Sequence, residues 1–185
     1  WARMQELKYN YYYAQKNWLA ATKIIESLYA KTNAVVHFKS YIGVLLVQKQ
    51  YEEAELLLER WLDSHPYDVS AVNLQAEILT KLNKREELKS LLRRTNRVKK
   101  SATISHKLAH LFTNEDLELA LEYAKQAVEL SPTNPIYNDT YGWLLFKQQN
   151  YMSALEYLRV AQASDSKNPI INYHLAETLA ALHRI

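Results

Sequence analysis

The chain has 185 residues, long enough for a domain with a continuous core, and its 48% hydrophobic and 23% charged content is ordinary for a globular protein. It has no cysteine, which excludes disulfides and thiolate catalysis, and its formal net charge of +3 is too small to mark a nucleic-acid binder on bulk charge. No apolar run approaches the ~18 residues of a membrane span; the longest is Ile42 to Val47.

Only two glycines and four prolines are present, so helix interruptions are scarce and the chain should be mostly helical with short turns. No signal peptide is visible, and the chain opens at Trp1, so it reads as a piece of a longer protein. The predicted elements are helix pairs anchored on a small residue in each second helix. The first unit spans 2–34, with Trp18 and Ala21 as anchors. Its tyrosines Tyr9, Tyr11, Tyr12 and Tyr13 wrap more than one helix face and should pack through Trp18 and Ile25, some of them facing a preceding repeat.

The second unit (35–68) and third (69–101) carry Tyr51-Glu-Glu-Ala-Glu-Leu-Leu-Leu and Arg85-Glu-Glu-Leu-Lys-Ser-Leu-Leu. The fourth (102–134) and fifth (135–168) carry Leu117-Glu-Leu-Ala-Leu-Glu-Tyr-Ala and Tyr151-Met-Ser-Ala-Leu-Glu-Tyr-Leu. Their anchors Ala54, Leu88, Ala120 and Ala154 are spaced by 34, 32 and 34. Tyr151, Ala154, Leu155, Leu158 and Ala161 recur at helical spacing, small residues allowing close approach and bulky ones filling the space beside them. Lys49-Gln50, Asn83-Lys84 and Gln149-Asn150 mark tight turns within pairs, and Pro135 and Pro169 sit at first-turn positions. The fourth unit has a shortened internal turn, where Thr113 or Asn114 is expected to cap the following helix. A final single helix is expected over 169–183.

A helix-turn-helix repeat of this period is the tetratricopeptide signature. The chain resembles tetratricopeptide-repeat (TPR) proteins over essentially its whole length, best in Ala120-Leu-Glu-Tyr-Ala-Lys-Gln-Ala-Val-Glu-Leu-Ser-Pro-Thr-Asn-Pro and Tyr141-Gly-Trp-Leu-Leu-Phe-Lys-Gln-Gln-Asn-Tyr151. Gly142 and Tyr151 match the family's glycine and aromatic positions, Pro66 and Pro132 its closing proline. Arg85, Leu88 and Thr95 depart from it in the third unit. The resemblance implies an all-α, right-handed superhelical solenoid of about five helix pairs and a lone last helix, read as one domain over 1–185. Such stacks bind partners on an extended surface. More narrowly, Asn138-Asp-Thr-Tyr-Gly-Trp-Leu-Leu and Asn168-Pro-Ile-Ile-Asn-Tyr-His-Leu-Ala-Glu-Thr-Leu-Ala-Ala-Leu resemble bacterial repeat lipoproteins associated with PEP-CTERM/exosortase sorting. That resemblance implies a bacterial periplasmic or envelope scaffold.

In this family, positions 2, 5, 9 and 12 of each first helix usually line the inner face. Carried across, they assign Lys39, Asn73, Glu77, His106, His110, Asp139, Trp143, Phe146, Tyr173 and Glu177 to a peptide-binding groove. Aromatic Trp143 and Phe146 beside the Asp139 carboxylate suit an extended peptide with an apolar anchor and a basic neighbour. Alternatively, both rings pack against the neighbouring helix. The lysine/asparagine/arginine carboxylate clamp of some repeat domains would accept Lys39, but Gly43 and Leu74 stand where asparagine is expected.

Between Lys81 and Lys100, nine Lys or Arg face only Glu86 and Glu87, so the rest of the chain is net acidic. Lys89, Arg93, Arg94 and Arg97 form a basic face that could hold an acidic protein or an anionic polymer. A purely solvated face complementing a helix dipole is the alternative. Aromatics do not interleave with these cations, so nucleic acid is not the expected partner. His106 and His110, at i and i+4, lack the intervening glutamate of a zinc-protease helix and any third ligand, and no metal or cofactor is expected. With glycine only at 43 and 142 there is no phosphate loop, dinucleotide fingerprint or nucleophile elbow. The expected function is a non-catalytic protein-binding scaffold, with the uncovered apolar face of the last helix meeting either another repeat of a longer chain or a second copy through a solenoid end.

Overall fold

A computed structural model describes residues 1–183, and among them all regular structure is helical. The helices are α1 (Ala2–Ala14), α2 (Trp18–Thr32), α3 (Val35–Val47), α4 (Tyr51–Ser64), α5 (Val69–Lys81), α6 (Arg85–Val98), α7 (Ala102–Phe112), α8 (Leu117–Leu130), α9 (Pro135–Lys147), α10 (Tyr151–Ser164) and α11 (Pro169–Leu182).

Helix starts follow from side chains that accept otherwise orphaned backbone N–H groups. Asn134 accepts from Ile136 and Tyr137, and Asn168 from Ile170 and Ile171, each followed by proline at the first helical turn. Asp68 caps α5 and Asn150 caps α10 in the same way. At α8 the cap is Asp116, which accepts from the Leu119 N–H, rather than Thr113 or Asn114. Thr113, in helical φ/ψ, instead donates its hydroxyl to the Ala109 carbonyl one turn back, and Asp116 has the extended φ/ψ in which a cap can act.

The turns within pairs repeat one geometry. Lys16, Lys49, Asn83 and Gln149 all have positive φ, between 48° and 66° with Asn33 included. The residue after each closes a 6→1 bond: Asn17 to the Tyr12 carbonyl, Gln50 to Leu45, Lys84 to Leu79 and Asn150 to Leu145. This is the helix-ending motif that usually takes glycine. Glycine scarcity therefore reflects lysine, asparagine and glutamine tolerating the left-handed region at a modest cost.

The chain clusters into two compact units, Trp1 to Arg85 and Glu86 onward, so that α6 begins at the last residue of the first. In the first unit α2 packs on α3 and α3 on α4, and Ala21, Ile25 and Leu28 of α2, Ile42 and Leu45 of α3 and Ala54 and Leu58 of α4 are all essentially inaccessible. Trp61 stacks between the rings of Phe38 and His65, at 4.5 and 4.0 Å, and its indole N–H donates to Asp68 at 3.1 Å. In the second unit Leu92, Ile104, Leu108, Ala120, Ala124, Ala154 and Leu158 are buried. A buried polar knot ties α6 to α7 and α8. The Asn96 amide donates to Gln126 at 2.6 Å, and the Ser105 hydroxyl lies 2.6 Å from that Gln126 oxygen and 3.2 Å from Asn96 Oδ1. Such a knot fixes register because each buried polar atom loses its partner if a helix slides.

Candidate functional site

The first helices of successive pairs in the second unit, α7, α9 and α11, are linked side chain to side chain. His106 Nε2 of α7 lies 3.0 Å from the Thr140 hydroxyl of α9. The His174 Nδ1–H of α11 donates to Asp139 Oδ1 of α9 at 2.8 Å. These bonds join residues 34 and 35 apart in sequence, one repeat period.

Between these links sits an aromatic layer. Trp143 stacks nearly parallel on Phe146 at 4.6 Å and on His174 at 4.1 Å. Tyr173 leans toward Trp143 at 6.2 Å, and Phe146 meets Tyr151 at 5.3 Å. Trp143, Phe146 and His174 stay partly accessible, while Tyr173 is 56% exposed. Asp139 is 9% exposed, so its carboxylate is occupied mainly in orienting the His174 ring. Rings held this way lose little freedom when a ligand covers them.

His106 and His110 continue the layer along α7. Their Nε2 atoms are 3.0 Å apart, so one ring donates its N–H and the other, neutral, accepts. Burial depresses His106 to about 4, helped by the Lys107 charge and by the repulsion that would arise if His110 were also protonated. Burial also lowers His110, against the pull of Asp139. Both are therefore neutral at physiological pH and present a polar, uncharged edge. Among the described residues no group of three His, Cys, Asp or Glu is arranged to hold a metal.

The structure thus brings together His106, His110, Asp139, Trp143, Phe146 and Tyr173 within one unit, with Glu177 exposed one turn beyond Tyr173 on α11. Of the two readings weighed for Trp143 and Phe146 in the sequence, packing is visible: Trp143 stacks on His174 of α11 and Phe146 meets Tyr151 of α10, while both rings remain partly open. Lys39 and Asn73 belong to the first unit. Exposed Lys39 lies near Asp68, whose carboxyl is held below the usual range: burial opposes this, but hydrogen bonds from Ala71, Trp61 and Ser70 and the Lys39 charge prevail. Asn73 Oδ1 is inaccessible and has no hydrogen-bond partner, an acceptor aligned with nothing on its own chain. Glu77 is exposed on the same helix.

His174 and Thr140 were missed in the sequence. Assigning inner-face positions by fixed numbers selects Tyr173 and Asp139; Asp139 does bond across to α11, but to His174 rather than Tyr173, and the bond from α7 goes to Thr140 beside it. The available signal was the 34-residue offset between Thr140 and His174.

On α6 the predicted basic residues share one stripe with Glu86 and Ser90, opposite the buried Leu88, Leu91, Leu92 and Thr95. Lys89 Nζ pairs with Glu115 at 2.6 Å and Glu86 at 2.9 Å, bonds that raise its pKa and hold it charged. Arg93 and Lys89 both lie over the Phe112 ring, at 5.4 and 5.5 Å.

No protein-family model and no curated protein matches the chain. Solved structures do. MamA from Desulfovibrio magneticus RS-1 (residues 41 to the end) is 15% identical with a TM-score of 0.68, over 91% of this chain and 97% of that one. A tetratricopeptide repeat protein from Parabacteroides merdae is 11% identical with a TM-score of 0.74, over 99% and 74%. YrrB, a TPR protein with an unusual peptide-binding site, is 17% identical with a TM-score of 0.64, over 89% and 87%. Likeness at these identities speaks for the fold, and nothing in these matches supports the narrower PEP-CTERM/exosortase resemblance. The chain has the all-α fold of the tetratricopeptide-repeat solenoids.

Proposed function

We propose that this protein is a non-catalytic interaction scaffold that holds a peptide or protein segment against α7, α9 and α11 of its second unit. The observation that carries the reading is the partly open Trp143–Phe146–His174 stack, oriented by Asp139 and extended by the neutral His106–His110 pair. A pre-formed aromatic surface with fixed polar edges is the usual composition of an energetic centre in protein recognition. YrrB supports the reading as a structural neighbour that binds peptide. Lys39, Asn73 and Glu77 belong to the same proposal as positions on the equivalent face of the first unit.

The bacterial-envelope setting is also part of the proposal and rests on the resemblance of 138–145 and 168–182 alone. Self-association is a further part. It is supported by the stripe formed by the N-cap residue Trp1 with Met4, Leu7 and Tyr11 of α1, each more than half exposed, and by exposed Ile170 on α11. Sedimentation over a range of concentrations tests it, and a concentration-independent monomer would remove it.

The decisive experiment is affinity capture from a bacterial envelope extract, with wild type beside Trp143→Ala/Phe146→Ala. A partner lost in the double variant, at unchanged helicity and melting temperature, supports the site. A partner retained by a folded variant sinks it.

A further inference from the structure

We propose that the α6 face of the second unit is a second binding site, separate from the aromatic layer, and that it takes an acidic peptide segment through paired Asp or Glu carboxylates. A cavity of about 720 Å³ opens along this face, lined by Glu86, Lys89, Arg93, Arg94 and Arg97, with Phe112 at its base. That volume falls in the range of ligand clefts and suits a short segment.

The charges in the cavity are unevenly matched. Lys89 is neutralised by Glu86 and Glu115. Arg93, Arg94 and Arg97 have no carboxylate within ion-pair distance among the described residues, and all three are exposed. Their spacing at i, i+1 and i+4 places three guanidinium forks along one side of one helix. A guanidinium fork matches a carboxylate with two parallel hydrogen bonds, which an ammonium cannot do.

The surroundings select among anions. Phe112 is only 7% exposed, and Lys89 and Arg93 lie over its ring. It therefore offers no open π-face for a base, and single-stranded nucleic acids rely on such faces. The Glu86 carboxylate at one end of the cavity repels a uniform polyanion, while a peptide can place a neutral residue there. These observations favour a mixed acidic segment over RNA or polyphosphate.

The test is fluorescence anisotropy with a labelled peptide of alternating Glu and Ser, titrated at low and moderate salt. Controls are the same peptide with Gln for Glu, a single-stranded RNA and polyphosphate. The expected result is binding that weakens with salt, vanishes for the Gln peptide, and falls at least about tenfold in Arg94→Glu/Arg97→Glu. Arg94→Lys/Arg97→Lys keeps the charge without the forks and should lose less than the reversal. Trp143→Ala/Phe146→Ala should bind the acidic peptide like wild type, which separates this site from the proposed groove. Arg94 and Arg97 are exposed, and circular dichroism checks that both variants fold. The proposal is overturned if wild type fails to bind the Glu peptide at low salt, if the reversal leaves affinity unchanged, if the Gln peptide binds equally, or if RNA or polyphosphate competes more strongly than the peptide.

Discussion

The protein's two glycines sit one register apart in comparable helices, and this small difference separates α3 from α9. In α9, Gly142 faces the partner helix: a Cβ there would lie 2.7 Å from Leu158 Cγ and 3.2 Å from the Ala154 carbonyl. The next residue, Trp143, then emerges into the aromatic layer. In α3 the corresponding pair is reversed in size. Ile42 is fully buried, and Gly43 follows it with nothing within 4 Å of its missing Cβ. One helix spends its glycine on close packing and gains an aromatic on its open face; the other fills the interface with isoleucine and leaves the open position bare. Glycine content alone therefore says little about packing, because helix register decides which side the small residue serves.

The largest effect should come from the aromatic side of this comparison. Trp143→Ala is expected to weaken a captured partner by about 2 kcal/mol or more, the scale of a buried aromatic anchor, measured by calorimetry with the partner in hand. Gly43→Ala should leave that affinity unchanged, and an equal loss in both would erase the distinction between the helices.

Gly142→Ala comes next. The Leu158 side chain would have to move, so the substitution should cost about 1–3 kcal/mol in urea unfolding. A neutral result would mean that α10 shifts freely and that the close approach is not required.

Acid should then weaken the second unit selectively. His106 is held at about 4, below its unfolded value of 6.5, so the unfolded chain binds a proton that the folded one refuses. The sign is loss of stability as pH falls from about 6.5 toward about 4, with no further contribution below that. His106→Asn should flatten this part of the urea-midpoint profile, and an unaltered slope would place the acid sensitivity elsewhere.

The smallest expected effect is Gly43→Ala on stability. Open space and a helix interior predict a gain of about 0.5–1 kcal/mol from backbone entropy. A loss would show that the bare position carries a packing role the geometry does not reveal.

Much of the fold was legible because its signals are local. Pro135 and Pro169 open helices, Asn134 and Asn168 cap them, and Ala54, Ala120 and Ala154 recur where helices must approach. Each depends on a few neighbouring residues and on helical period, both of which are written in the chain. The shortened turn before α8 was harder: three candidate caps lie within four residues, and only the backbone path selects Asp116.

The sequence by itself determined the helical class, the repeat period, and the presence of an aromatic pair and a cationic stretch. Tertiary structure decided what those residues do. It placed His174 rather than Tyr173 against Asp139, set the two histidines of α7 against each other with lowered pKa values, and covered Phe112 with Lys89 and Arg93 while leaving neighbouring arginines unmatched. The physical reason is that secondary structure follows from interactions within a turn or two. Site chemistry depends on which side chains meet across helices, where a register change of one residue, about 100° around the axis, exchanges one partner for another.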